Sequence, residues 1–141
     1  MSIQVMLSIR GCQRYIGQEP DVIELVTEGT LRQMENSWEL RYAESHLTGL
    51  DGVETAFLVE REKITLTRTG RLNSQMVFQE GKSHDSLYQM EFGAMMITVC
   101  ANHISWNIDP KGGVVDLTYQ IEIEQSAAGS IEYHLEITPK T

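Results

Sequence analysis

The sequence predicts an all-β chain, folded as a closed up-and-down antiparallel barrel of about ten strands. Three observations carry that expectation. Apolar and polar residues alternate with period two almost from end to end. Turn chemistry interrupts the alternation at nine fairly regular places. No window keeps the i, i+3, i+4, i+7 apolar spacing over the ~10 residues a globular helix needs.

In chain order, Ile3, Val5, Leu7 and Ile9 alternate with Gln4, Met6, Ser8 and Arg10, and Gly17-Gln18-Glu19-Pro20-Asp21 ends this first strand. The second strand runs to Glu35-Asn36-Ser37. The third, WELRYAESH, sets Trp38, Leu40, Tyr42 and Glu44 on one face and ends before Thr48-Gly49-Leu50-Asp51-Gly52. A fourth strand stops near Arg61-Glu62, where charge replaces glycine as the breaker, and the fifth, ITLTRTG, reaches Gly70 to Asn73. The sixth and seventh are divided by Glu80-Gly81, and Phe92-Gly93 closes the seventh after Tyr88 and Met90. The eighth contains ITVCANH and ends at Asp109-Pro110-Lys111-Gly112-Gly113. The ninth carries Val115, Leu117, Tyr119, Ile121 and Ile123, and Ala128-Gly129 is the expected turn into the tenth. Strands in series with no crossover helix leave two edges, and closing the sheet removes them.

At 141 residues with 41% hydrophobic and 22% charged side chains, the chain fits one domain, 1–141, with enough apolar material for a core. A formal charge of −9 repels a phosphate backbone and an anionic leaflet, so neither nucleic acid nor membrane is an expected partner. The opening MSIQVMLSIRG has no charged region before an unbroken apolar run, and no stretch approaches the ~18 apolar residues of a spanning helix; the expected compartment is the cytoplasm. Cys12 and Cys100 have no metal or redox spacing and read as reduced thiols.

One parity of each strand lines a barrel, and here the inward parity is not wholly apolar. Arg68 continues Ile64 and Leu66, Glu44 continues Leu40 and Tyr42, Tyr88 joins Met90, and Tyr119 lies between Leu117 and Ile121. Arg68, Glu44, Tyr42, Tyr88 and Tyr119 are therefore the candidate interior site. An ion inside a fold is expensive unless paired or wetted, which leaves two readings. Arg68 and Glu44 answer each other as a plug, directly or through water, braced by tyrosine hydroxyls. Alternatively, the guanidinium grips a carboxylate or phosphate at the bottom of a cavity walled by Leu40, Leu66, Met90, Leu117 and Ile121.

Other chemistry is thin. His46, His84, His103 and His134 are scattered without i, i+2 pairing, so no metal and no cofactor is expected. No serine sits in a GxSxG frame, and Cys100 with His103 three residues on falls on opposite faces of a regular strand. Glu122, Glu124, Glu132 and Glu136 belong to solvated parities, leaving Glu44 as the acidic residue that would carry a proton if this were an enzyme.

Thr27-Glu28-Gly29, the run Leu40, Tyr42, Glu44, His46, the run Leu66, Arg68, Gly70, the run Tyr88 to Gly93 and Tyr119 in LTYQI together resemble the YwiB-like family of small uncharacterised bacterial proteins. The resemblance covers nearly the whole chain and implies a calycin-like barrel of the lipocalin architecture, with no activity, substrate or catalytic residue to carry over. Arg41 departs from it, standing beside Tyr42 where the family pattern has a second aromatic. Three functions stay open: a barrel holding a small amphipathic or anionic molecule, a filled barrel that meets a protein partner or a second copy through its outer surface, and an enzyme. The sequence reads more readily as a binder than as a catalyst.

If both cysteines are reduced, a thiol reagent under denaturing, non-reducing conditions titrates two groups. A count of none would establish a disulfide.

Overall fold

The computed structural model describes residues 2–44 and 50–140; His46 and the Thr48-Gly49 part of the expected turn lie outside them. Ten strands follow one another: β1 (Ser2–Tyr15), β2 (Asp21–Gln33), β3 (Ser37–Ala43), β4 (Val53–Glu60), β5 (Ile64–Gly70), β6 (Ser74–Phe78), β7 (Ser83–Met90), β8 (Gly93–Asp109), β9 (Gly112–Ile123) and β10 (Ser126–Pro139). All pairings between named strands are antiparallel, and the sheet order is β6-β5-β4-β3-β2-β1-β10-β9-β8-β7. The two end strands meet across a seam. Asn73 and Gln89 exchange backbone hydrogen bonds of 2.8 and 2.9 Å, and Gly81 N–H donates to the Ala101 carbonyl at 3.0 Å. The barrel is nearly closed, and the row of free backbone groups that ten strands in series would expose is largely removed.

Cross-strand registers stack the interior of β3 to β6 into rows. Trp38, Val59, Ile64 and Phe78 form one row, and Leu40, Phe57, Leu66 and Met76 form the next. The third row is Tyr42, Thr55, Arg68 and Ser74. The first two rows are apolar and, apart from the partly exposed Trp38, buried, with Phe57 at 2% exposure and Val59, Ile64, Leu66 and Phe78 at 0%. Facing them, Val5, Leu7, Leu135 and Ile137 fill the same end of the barrel. The third row is where polar side chains enter.

Two sequence expectations are corrected. The β9–β10 turn is Glu124-Gln125, not Ala128-Gly129; both residues have positive φ, at 50° and 69°. This is glycine's usual ground. Glu124 holds the turn by giving its N–H to the Met96 carbonyl and accepting the Met96 N–H on its carboxylate, each at 2.9 Å. The Ala127/Gly129 step is instead a register shift inside β10. Second, a bulge between Ala101 and His103 flips the parity of β8. Ile97, Val99 and Ala101 face in before it, and Ile104, Trp106 and Ile108 pack inward after it. Cys100 and His103 thus share the outer face rather than opposing ones. Both cysteines are free thiols, and His103 lies 4.0 Å from Glu80.

No helix among the described residues is long and apolar enough to cross a membrane, and none of their His, Cys, Asp and Glu side chains cluster as metal ligands.

Gly29, in the Thr27-Glu28-Gly29 stretch, lets β2 lie close on β3. A Cβ there would sit 2.6 Å from the Arg41 carbonyl oxygen and 2.9 Å from Leu7 Cδ1. Backbone cannot step aside as a side chain end can. Gly29→Ala is expected to destabilise the protein by about 1–3 kcal/mol through overpacking, read as a lower urea midpoint at unchanged m-value. An unchanged midpoint would show that the two strands have slack.

Candidate functional site

Beyond the third row the barrel is hollow. A cavity of about 310 Å³ occupies this end, and Arg68, Glu44, Tyr42, Tyr88 and Tyr119 all line it. So do Tyr15 and Tyr133, with the result that all five tyrosines of the chain converge on one space. Its apolar wall differs from the expected one. Leu40, Leu66 and Leu117 belong to the filled end, at 0–1% exposure, and Met90 is 43% exposed outside. Ile121 lines it as expected, and the rest of the wall consists of residues such as Ile9, Leu25, Met76, Met95, Ile97 and Ile131.

An aromatic floor separates the two ends. Tyr119 packs on Phe78 with ring centroids 4.5 Å apart and stacks on Tyr133 at 6.3 Å, while Phe57 meets Tyr133 edge-on at 6.4 Å. Tyr133 pairs across strands with Gly11, and a Cβ on Gly11 would come within 3.3 Å of the tyrosine ring. Glycine at this inward position makes room for the ring.

The direct form of the plug is not seen. Among the described residues no ion pair within 4 Å joins Arg68 to Glu44. Glu44, 8% exposed, accepts a 2.5 Å hydrogen bond from Thr55 Oγ1 and is hydrogen-bonded to Tyr42. Thr55 is the residue between the two, paired with Tyr42 on one side and Arg68 on the other. It gives its proton to the carboxylate. Arg68 Nη2 donates to the Tyr133 hydroxyl at 3.5 Å, the long limit of a hydrogen bond, and Nε is shielded without a partner. The residue as a whole is only half-buried because part of its surface is cavity wall, while the guanidinium itself is packed deep.

Burial opposes the arginine charge, but the surrounding tyrosines, Tyr133 first and then Tyr119 and Tyr42, more than offset it. Its pKa lies above the ordinary arginine value, and the group is a permanent cation. Burial is likewise the first cause of raised pKa values at Tyr15, Tyr42, Tyr88 and Tyr119. The site holds one guanidinium among protonated tyrosine hydroxyls, with the Glu44 carboxyl group on the same wall.

Elsewhere, a groove of about 640 Å³ runs along the outside between β8 and the turns at Arg61-Glu62 and Gln79-Lys82. Its lining is exposed to half-buried and of mixed charge, and Glu80 already holds the Ile104 N–H at 2.8 Å. It gathers none of the interior chemistry. On the outer face His134 Nδ1 lies 2.5 Å from Asp116, and this bond, with a second from Glu136, raises the imidazole pKa.

Tyr133 and Tyr15 were missed on the sequence. Tyr133 shares the parity of Ile131, Leu135 and Ile137 and was legible from it. Tyr15 follows Gly11 and Gln13, where alternation had already faded.

Comparison with known proteins gives two positive findings. The family model described as a domain of unknown function, DUF1934, matches residues 7–137. The crystal structure of the ywiB protein from Bacillus subtilis superposes with a TM-score of 0.89 at 21% identity, covering 99% of this chain and 94% of that one. At that identity the likeness shows the fold. No curated protein matches.

The raised tyrosine pKa values set a sign for alkaline stability. The folded state holds protons that the unfolded chain releases near pH ~10, so their contribution is intact below about pH 10 and is lost as pH rises further. In a spectrophotometric titration, tyrosinate from Tyr42 and Tyr119 is expected only together with loss of the β-sheet dichroism. Ionisation of all five tyrosines with the sheet intact would contradict the burial described above.

Proposed function

The chain belongs to the DUF1934 family, and from that premise we propose that its barrel binds a small amphipathic or anionic molecule, with Arg68 as the handle for the acid group. One observation carries this reading. A permanent guanidinium whose sole hydrogen bond among the described residues is a long one to Tyr133 faces a cavity on which every tyrosine of the chain converges. Its one hydrogen bond among the described residues is long, and a guanidinium so placed suits a charge-assisted, two-pronged bond to an anion. The cavity lies at the lower end of the ~300–1,000 Å³ range of ligand pockets and combines an apolar wall with a few convergent polar groups, as such pockets do. Likeness of fold to other barrels adds no weight, since a fold does not fix a function.

The competing reading, a filled barrel acting through its surface, draws on the open edge of β8 beyond Ala101 and the groove beside it. The hollow end of the barrel favours the interior.

Arg68→Met tests the reading. The variant is expected to be as stable as the wild type or more so in the absence of ligand, and to lose binding of small carboxylates and phosphates by about 1.5–3 kcal/mol in titration calorimetry. Anion binding that is tight and indifferent to Arg68→Met would sink the handle. A marked loss of stability without ligand would restore the plug.

A further inference from the structure

Beyond Ala101, β8 has a strand neighbour on one side only. Its ladder with β7 ends where Ser83 stands opposite Cys100, and past the Glu80–Ala101 bridge no named strand among the described residues runs beside it on the side away from β9. His103–Asp109 is therefore a free sheet edge. Glu80 accepts the Ile104 N–H at 2.8 Å from that open side, which fixes the direction of the backbone groups. They alternate along a strand, so the N–H and C=O of Trp106 and Ile108 also point to the open side, while those of Ser105 and Asn107 turn to β9. Such a row is a template for another strand.

The residues of the edge select that strand. HISWNID is a chemical palindrome about Trp106. Laid antiparallel against a second copy, Trp106 meets the partner's Trp106, Ile104 the partner's Ile108, Ser105 the partner's Asn107, and His103 the partner's Asp109. Aromatic faces aromatic, aliphatic faces aliphatic, hydroxyl faces amide and imidazole faces carboxylate, the cross-strand combinations that stabilise a sheet. The faces agree as well. Ile104, Trp106 and Ile108 pack inward, whereas His103, Ser105, Asn107 and Asp109 are exposed. So does the backbone: in this register the two Trp106 residues exchange a pair of hydrogen bonds, and each Ile108 N–H reaches the partner's Ile104 carbonyl, with Glu80 left on the Ile104 N–H. Asp109 already accepts the Lys111 N–H at 2.7 Å on one oxygen and has the other for the imidazole.

We infer that the protein pairs with a second copy of itself through the His103–Asp109 edge of β8, in an antiparallel two-fold ladder centred on Trp106. Two chains of charge −9 repel each other, but salt screens distant charges beyond ~8 Å, and the groove along this edge sets Arg61 and Lys82 against Glu62 and Glu80. The edge lies at the filled end of the barrel, where Trp106 pairs with Val115 and Val115 with Leu135. The dimer thus stands apart from the cavity and does not depend on the ligand-binding reading.

An edge this short buries little area, so sedimentation velocity of the full chain from about 5 to 500 µM, a range around micromolar affinity, is expected to show a monomer–dimer equilibrium. Ser105→Lys/Asn107→Lys sets ammonium groups opposite one another at exposed positions. It is expected to weaken association at least about tenfold with an unchanged thermal midpoint in dilute solution. Should that variant not fold, the register is read by mixing Ser105→Cys chains with Asn107→Cys chains, Cys12 and Cys100 being present throughout. The mixture is expected to form disulfide-linked dimer faster than either variant alone, because these positions face each other across the ladder. A monomer over the whole concentration range, a dimer indifferent to the lysines, or crosslinking no faster in the mixture would each overturn the inference.

Discussion

A guanidinium set in the third row of an otherwise apolar stack is the constraint on which the rest of this barrel turns. Rows one and two, from Trp38 through Phe78 and from Leu40 through Met76, are ordinary core. Arg68 ends that regime. A cation at this depth needs acceptors or polarisable neighbours, and the five tyrosines, with Thr55 and Ser74 beside it in the row, are what the chain supplies. Tyrosine suits this duty because it offers a ring to the aromatic floor and a hydroxyl to the charge. The ring of hydroxyls does not form an ion pair with the positive charge, and Glu44 lines the same cavity.

The separation of Arg68 from Glu44 has a local cause. Tyr42, Thr55 and Arg68 occupy successive strands of one row, and Glu44 lies two residues past Tyr42 on β3's side. Thr55 therefore stands between carboxylate and guanidinium, and its hydroxyl, buried at 0% exposure, bonds the carboxylate. Glu44 accepts that bond within its own part of the sheet. The two charges share a cavity without forming a pair.

Much of this was legible in the sequence because a β-barrel writes its interior as a parity. Extending Ile64 and Leu66 by two reached Arg68, extending Leu40 and Tyr42 reached Glu44, and the same step placed Tyr88 and Tyr119; all line one space. What parity could not carry were the places where the chain breaks it. The bulge at Ala101/His103 leaves no mark in composition, so Cys100 and His103 were assigned opposite faces. Glu124-Gln125 turns with positive φ through hydrogen bonds to Met96, made by residues 28 positions apart that no local rule connects. The cavity wall was misplaced for a related reason: parity says which residues face inward, but not at which height the interior stops being filled. Leu40, Leu66 and Leu117 face in as expected and are simply on the packed side of the floor.

That height is decided by side-chain size within a scaffold that cannot shrink to fit. A barrel's diameter is set by strand number and stagger, not by the volume of what lies inside. Where large side chains meet, as with Phe57, Phe78 and the leucines, the lumen is full. At the other end the inward positions include Gly11, which has no side chain, with Thr55 and Ser74 at the boundary in the third row, and the ladders hold the wall in place whether or not these small residues reach the middle. A helical core would close over such a deficit by sliding its elements together. Ten strands hydrogen-bonded to their neighbours, with β1 paired to β10 and the Asn73–Gln89 bridge across the seam, have no comparable freedom, so the space persists. The hollow end therefore follows from the same backbone pairing that makes the fold, and Arg68 stands at the boundary between the part of the barrel that packs itself and the part that does not.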